Sequence, residues 1–234
     1  MMQTRFLEGP AVRWPDEAPG PVRATSLRLR SFDHLLRQVW PVPQGLHAVD
    51  LGAGHGMFAA RARRHGFRVT AVDARDRWTP AEAIAGAAPV TGQEDDPDLV
   101  WVKEDARDHD LAPYDVIFII GLIYHLPLAA QLDLLSRCAG RPTVVDTEIF
   151  DAADPAARAC ERLSPAIGAG FDGAFMRETG NHWSAADLTD SFWPTQDAFL
   201  AMCAQAGCQS VAMVDPPYRS RFGPRRWFVL DGPE

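Results

Sequence analysis

The chain is predicted to fold as a doubly wound α/β sheet, and three observations predict it. A short apolar run, 46–51, passes directly into Gly52-Ala53-Gly54-His55-Gly56 and then into an Ala/Arg-rich helical segment ending near His65. A second apolar run, 67–73, closes on Asp73. Beyond it, apolar runs alternate with helical patterns to about residue 150. A strand, a glycine turn and a helix form the opening unit of a parallel sheet, and continued alternation implies right-handed crossovers. Glycine lacks a Cβ, so a ligand can lie against the turn, and an acidic residue about 20 positions further on suits a ribose. The spacing of the turn to Asp73 therefore points to an adenosine-containing ligand.

The elements follow in order. Residues 1–22 contain Pro10, Pro15, Pro19 and Pro21, which read as a tail or an extended arm. From Thr25 to Trp40, Leu29, Phe32, Leu36 and Val39 recur at helical spacing, with Arg28, Arg30 and Arg37 on other faces. Strands are expected at 46–51, 67–73, 98–103, 114–120 and 143–149, with a helix at 56–65. The stretch 79–97 is poorly patterned and reads as a short helix and a loop. Pro127 opens a helix in which Leu128, Leu132 and Leu135 share a face. Residues 151–194 are too long for an ordinary connection and read as a lid-like insertion after strand five. It carries Phe171, Phe175, His182, Trp183, Phe192 and Trp193. A helix from Thr195 places Phe199, Met202, Cys203 and Ala206 on one stripe and stops at Gly207. Strands at 210–214 and 227–230 close the chain, so 23–234 form one domain.

The formal net charge is −8 over 234 residues. Nucleic-acid binders carry a basic footprint, so the bulk charge argues against such a partner, although a local patch can hide in an acidic average. Arg219, Arg221, Arg225 and Arg226 form one basic run, read as a solvated face or as a contact to an anionic substrate or RNA. Cys138, Cys160, Cys203 and Cys208 form no C-x-x-C pair and read as core thiols of a reducing compartment. The N-terminus has no apolar signal core, and the longest apolar run, 116–124, is too short to span a bilayer. A soluble, cytoplasmic protein with no membrane partner is expected.

The glycines at 52, 54 and 56, with Met57 after them, depart from the dinucleotide pattern, whose last small residue lets helix and strand pack closely. No Lys-Ser/Thr pair of a phosphate loop follows either. The string from Val49 to Gly56 instead resembles motif I of the class I S-adenosylmethionine (SAM) dependent methyltransferases. Asp73 at the end of strand two, Glu104-Asp105-Ala106 after strand three, and Tyr114–Leu126 resemble the later motifs of that family in order. The last of these runs a strand into a Gly-Leu-Ile-Tyr-His-Leu turn. The resemblance implies a Rossmann-like, seven-stranded sheet with an antiparallel last strand. It implies SAM as cofactor, S-adenosylhomocysteine as product, and a leading helix over the cleft. It also implies Asp50, Gly52, Ala53, Gly54, Asp73, Ala74, Asp105, Ala106, Gly121, Leu122 and Tyr124 as cofactor-binding residues. Asp190–Thr195 is similar to a string in a branch that includes tRNA wobble-uridine carboxymethyltransferase-like proteins and bacterial small-molecule methyltransferases.

Methyl transfer from a sulfonium needs positioning first, and a base only where the acceptor holds a proton at neutral pH. His125, at the carboxyl edge of strand four, and His182, in the insertion, are the candidate catalytic residues. Imidazole titrates near neutrality, and ligands of such sheets bind at that edge. Asp146 and Glu148 alternate on strand five and share a face. They do not match a catechol-methyltransferase metal motif and read as a polar contact, so no metal is expected. The expected function is methylation of an oxygen or nitrogen of a small molecule. The Ala/Arg/Pro/Gly-rich usage fits natural-product tailoring in a GC-rich bacterium. The alternatives are a tRNA- or nucleoside-modifying SAM-dependent transferase and a noncatalytic SAM-binding protein.

Overall fold

A computed structural model describes residues 2–11, 21–74, 96–178 and 190–233. The first half comprises β1 (Gln3–Glu8), α1 (Pro21–Val39), β2 (His47–Leu51), α2 (Met57–His65), β3 (Arg68–Asp73), β4 (Leu99–Lys103) and β5 (Val116–Ile120). A short 3-10 turn (Ile123–His125), α3 (Leu128–Cys138) and β6 (Thr143–Glu148) complete the alternating part. Then come α4 (Pro155–Ala159), β7 (Leu163–Gly168), β8 (Phe171–Arg177) and β9 (Asp190–Pro194). The chain closes with α5 (Gln196–Ala206), β10 (Ser210–Asp215), β11 (Tyr218–Ser220) and β12 (Gly223–Leu230).

The main sheet has the order β1-β10-β12-β6-β5-β2-β3-β4, with β11 paired to β12. Strand β12 runs antiparallel to both β10 and β6, whereas the β2, β3, β4, β5 and β6 pairings are parallel. This is the Rossmann-like sheet whose last strand in sequence, β12, is antiparallel and lies third from the β1 edge. Seven strands are as expected, and two are additional. Residues 3–8 pair in parallel with β10 from Gln3 opposite Ser210 to Glu8 opposite Asp215, so part of the expected tail is an edge strand. Strand β12 begins four residues before Trp227, which turns the expected basic run into sheet. Helix α1 begins at Pro21, because proline is tolerated in a first helical turn. The short helix expected within 79–97 falls largely in 75–95, outside the described residues.

Helices cover both sheet faces. Alternation along each strand divides the core accordingly. On the α1 and α2 face, Phe32 meets Phe118 edge-on at 5.2 Å and Phe58 at 5.4 Å. On the α3 and α5 face, Phe199 packs on Phe228 at 4.5 Å, among Leu134, Leu135 and Met202. Strand β2 lies between β5 and β3, so successive crossovers leave it in opposite directions and open a crevice at its carboxyl end. The insertion is not a bare loop. Its strands β7, β8 and β9 form a separate antiparallel sheet. No helix among the described residues is long and apolar enough to cross a membrane.

The glycine turn after β2 shows what each glycine is for. Gly54 has φ +57°, and a Cβ there would meet nothing within 4 Å among the described residues. Gly56 has φ +70°, and a Cβ there would lie 1.9 Å from the Trp101 ring. Gly54 thus faces open space, whereas Gly56 is required by the packing of β4. Gly56→Ala should cost about 2–4 kcal/mol through left-handed backbone strain and displacement of the indole. Gly54→Ala should cost only the backbone part, about 1–2 kcal/mol. Urea denaturation of the two variants checks the difference, and equal losses would contradict it.

Candidate active site at the carboxyl edge of the sheet

The crevice is walled by the turn after β2, the end of β3 and the turn after β5. Gly52 and Ala53 both donate backbone N–H groups to the Val72 carbonyl, at 2.9 and 3.0 Å, which folds the glycine turn against β3. Gly54 N–H donates to Asp73 Oδ2 at 2.9 Å, fixing that carboxylate at the rim. Ala74 follows at the same rim. Asp50, at the end of β2, is 1% exposed, and its Oδ2 has no hydrogen-bond partner among the described residues. Burial pushes its carboxyl up to about 7, with Asp73 acting in the same direction and the Ala59 backbone and Arg28 acting against it. His55 is exposed on the turn.

After β4, Asp105 is occupied by its own loop. Arg107 donates to it from the backbone at 2.9 Å and from Nε and Nη2 at 2.9 and 2.6 Å. That hydrogen bonding holds the Asp105 carboxyl below the usual carboxylate range. Ala106 is buried in the core beside it. Both residues follow the carboxyl end of β4, with the Asp105 side chain engaged by Arg107.

The turn after β5 is held from below by a buried ionic cluster. Gly121 takes φ +82°, and its N–H donates to the Asp146 carbonyl at 3.0 Å. A Cβ at Gly121 would lie 2.8 Å from Arg28 Nη2 and 3.3 Å from Arg225 Nη2. Leu122 lies against Gly52, so the two turns touch. Arg225 donates from Nε and Nη2 to the two Asp146 oxygens, at 3.0 and 2.9 Å. Its Nη1 reaches Glu148 Oε1 at 2.9 Å and the Tyr124 hydroxyl at 3.0 Å. Its guanidinium also stacks over the Tyr124 ring, 4.7 Å from the centroid. Arg28 Nε donates to Asp146 Oδ2 at 2.8 Å, and Tyr218 donates to the other oxygen. Burial works to raise the Asp146 pKa, but Arg225 and Arg28 outweigh it and hold it below the usual range. Burial keeps the Glu148 carboxyl and the Tyr124 phenol above theirs.

Asp146 and Glu148 do share a face, and arginines fill it. Among the described residues no group of three His, Cys, Asp or Glu side chains is arranged to hold a metal. Arg225 and Arg226 are not a solvated face: both are buried in β12, opposite Glu148 and Thr147 in register. Arg28, placed on a polar face of the leading helix by its spacing, reaches into the sheet. The i, i+2 acid pair on β6 was the available signal, because two buried carboxylates in register require a cation.

His125 sits on the 3-10 turn beside Tyr124, ring centroids 4.2 Å apart. The insertion is fastened to this turn. Trp193 Nε1 donates to the Tyr124 carbonyl at 2.9 Å, Phe192 N–H to the Leu126 carbonyl, and Gln131 bridges the Leu126 and Phe192 carbonyls. His125 Nδ1 lies 2.9 Å from Glu178 Oε1. Nothing in the sequence around Glu178 marks it. Phe171 is buried in the core, and Phe175 packs edge-on against Phe192 at 5.3 Å. His182 and Trp183 lie outside the described residues.

Removing Arg225 would leave two buried carboxylates without their shared cation. Arg225→Met should therefore destabilise the protein by about 3–5 kcal/mol despite a similar side-chain length. Chemical denaturation of the purified variant tests this. A loss below about 1 kcal/mol would show that the cluster contributes no more than a surface pair.

Comparison with known proteins accords with this geometry. The family model described as "Methyltransferase domain" matches residues 25–212. No curated protein matches the chain in sequence. Among solved structures, the N-terminal domain of EvdMO1 with SAH bound superposes with a TM-score of 0.64 at 16% identity, covering 86% of this chain and 79% of that one. The Burkholderia thailandensis 1,6-didemethyltoxoflavin-N1-methyltransferase, with its substrate and S-adenosylhomocysteine bound, gives 0.59 at 17% identity, covering 92% and 82%. The Synechocystis magnesium protoporphyrin IX methyltransferase with bound SAH gives 0.60 at 13% identity, covering 92% and 89%. The fold is shared with all three, and by the extent of the family match the chain belongs to the methyltransferase domain family.

Proposed function

We propose that this chain is a SAM-dependent methyltransferase that methylates an oxygen or nitrogen of a small molecule, in the cytoplasm and in bacterial natural-product tailoring. One observation carries the cofactor reading. Among the described residues, the Gly54 turn faces open space, Asp73 is tied to its N–H, and the buried Asp50 oxygen beside it has no partner. A ligand with ribose hydroxyls at one end and an ammonium at the other fits that set, and neither phosphate loop nor dinucleotide spacing is present. The structural neighbours with bound S-adenosylhomocysteine, whose named substrates are a toxoflavin precursor and a porphyrin, support the same reading.

Bound SAM supplies a methyl group already activated by the sulfonium charge. The protein's own residues do the rest. Asp73 holds the ribose, Asp50 faces the amino group of the methionine chain, and the Gly121–His125 turn borders the reacting end. Leu122 and Tyr124 wall it, with Tyr124 fixed by Arg225. The acceptor approaches from the side of the insertion, which excludes water. A proton on the acceptor would pass to His125.

Calorimetry should show micromolar binding of SAM and S-adenosylhomocysteine and none of NAD. Asp73→Ala should weaken that binding by about 1.5–3 kcal/mol through loss of charge-assisted hydrogen bonds. Tight NAD binding with none of SAM would refute the assignment.

The Asp50 carboxyl, raised to about 7, gives the binding a pH dependence. An ammonium beside it favours the ionised form, so the neutral form must lose its proton on binding. Affinity should rise with pH and be about tenfold higher at pH 8 than at pH 6, levelling off above. Asp50→Asn should flatten that dependence, and an unchanged slope in the variant would contradict the placement of the ammonium.

Because Asp146 and Glu148 are engaged by arginines, chelator treatment should leave turnover intact once the acceptor is known. Loss of activity restored by Mg²⁺ would overturn that expectation.

A further inference from the structure

The insertion buries one carboxylate beside the turn that ends β5. Glu178, the first residue after β8, has a side chain that is 1% exposed. Its Oε1 accepts from the Ser191 hydroxyl of β9 at 2.8 Å and faces His125 Nδ1 at 2.9 Å. Its Oε2 lies 3.6 Å from Arg162 Nη2, and Arg162 is itself anchored by a 2.8 Å hydrogen bond from Nε to the Arg177 carbonyl. A carboxylate is costly to bury unless charged or polar partners meet it. An apolar side chain could pin the insertion to the turn without that cost. The partners supplied here meet the carboxylate on one side and aim it at an imidazole on the other.

We propose that Glu178 is a positioning residue for methyl transfer: it fixes His125 as the Nδ1–H tautomer and stabilises the imidazolium formed when Nε2 takes the acceptor's proton. A hydrogen bond from Nδ1–H to the carboxylate puts the imidazole lone pair on Nε2. The carboxylate then favours the charged ring as the proton arrives, without being protonated itself. The insertion therefore contributes the second member of an acid–base pair whose first member belongs to the alternating fold. The charged and titratable groups around the ring, among the described residues, are Glu178 at the end of β8, Arg162 before β7, Tyr124 on the same turn and Arg225 of β12 behind Tyr124. The proposal rests on the reading of His125 as the proton acceptor.

Long-range proton–nitrogen NMR of the full chain, labelled with ¹⁵N-histidine and free of ligand, tests the pairing directly. The His125 signals, among seven histidines, are assigned by their loss in His125→Gln. The wild type should show His125 protonated at Nδ1 in its neutral form. Glu178→Gln should lower the titration midpoint of that ring by about one unit or more, because a neutral amide cannot stabilise the imidazolium. Glu178→Asp should restore part of the shift. A wild-type ring protonated at Nε2 would overturn the proposal, and needs no variant to fold. So would an unchanged midpoint in a Glu178→Gln protein whose S-adenosylhomocysteine affinity and thermal unfolding match wild type.

With the acceptor identified, Glu178→Gln should lower kcat by roughly 10²–10⁴-fold and move the pH profile, with KM for SAM unchanged. A strong loss in His125→Ala beside an unchanged kcat and pH profile in Glu178→Gln would overturn this proposal alone. An unchanged kcat in His125→Ala would overturn the general-base reading and the proposal with it.

Discussion

The structure turns on the buried contact between Arg225 and Asp146. Asp146 is fully buried at the carboxyl end of β6, and its backbone carbonyl also receives the Gly121 N–H. Through its side chain it joins β12, the leading helix and Tyr218; through its main chain it sets the turn that ends β5. Replacing a buried ion pair by apolar residues is often neutral or stabilising, so stability is a weak reason to keep one. Position is the better reason here. Arg225 meets Asp146 with two nitrogens and still has Nη1 for Glu148 and the Tyr124 hydroxyl. An apolar substitute could fill the volume but could not fix the direction of the tyrosine. The antiparallel strand β12 matters for the same reason: its register brings a cation from the end of the chain opposite an acid pair on β6.

The alternating part of the fold was legible because its signals are local. Val49–Gly56 and the apolar runs ending at Asp73 and Ile120 specify strand, turn and helix from adjacent residues. Thr195 and Gly207 bound α5 as cap and stop, with the Thr195 hydroxyl accepting from Ala198 N–H and Gly207 at φ +99°. The illegible features are contacts made across long separations. Gln3–Glu8 has no strong pattern of its own and becomes a strand only because β10 offers an edge. Arg28 and Arg225 look like solvent-facing charges until β6 and β12 are placed side by side. Phe171 and Phe175 have the composition of a ligand wall, but they join the core shared with α3 and α5, while the insertion's own core is built on Leu163, Ala174, Met176 and Trp193. The positions of Asp50, Gly54 and Asp73 followed from the string alone; the partner of His125 did not, because Glu178 lies 53 residues away in an insertion with no readable motif.

The insertion has two physical roles in one piece. Backbone and indole hydrogen bonds fasten β9 to the turn at Tyr124 and Leu126, and the carboxylate of Glu178 reaches the histidine on that turn. In the proposed function, the common α/β framework supplies the donor side of the crevice and the added sheet shapes the acceptor side.

The most direct test of the account is a crystal structure of this chain with S-adenosylhomocysteine. The ribose hydroxyls should lie within hydrogen-bond distance of Asp73, the amino group should face Asp50, and the sulfur should border the Gly121–His125 turn. Binding with the adenosine end away from Asp73, or with the sulfur remote from that turn, would contradict it.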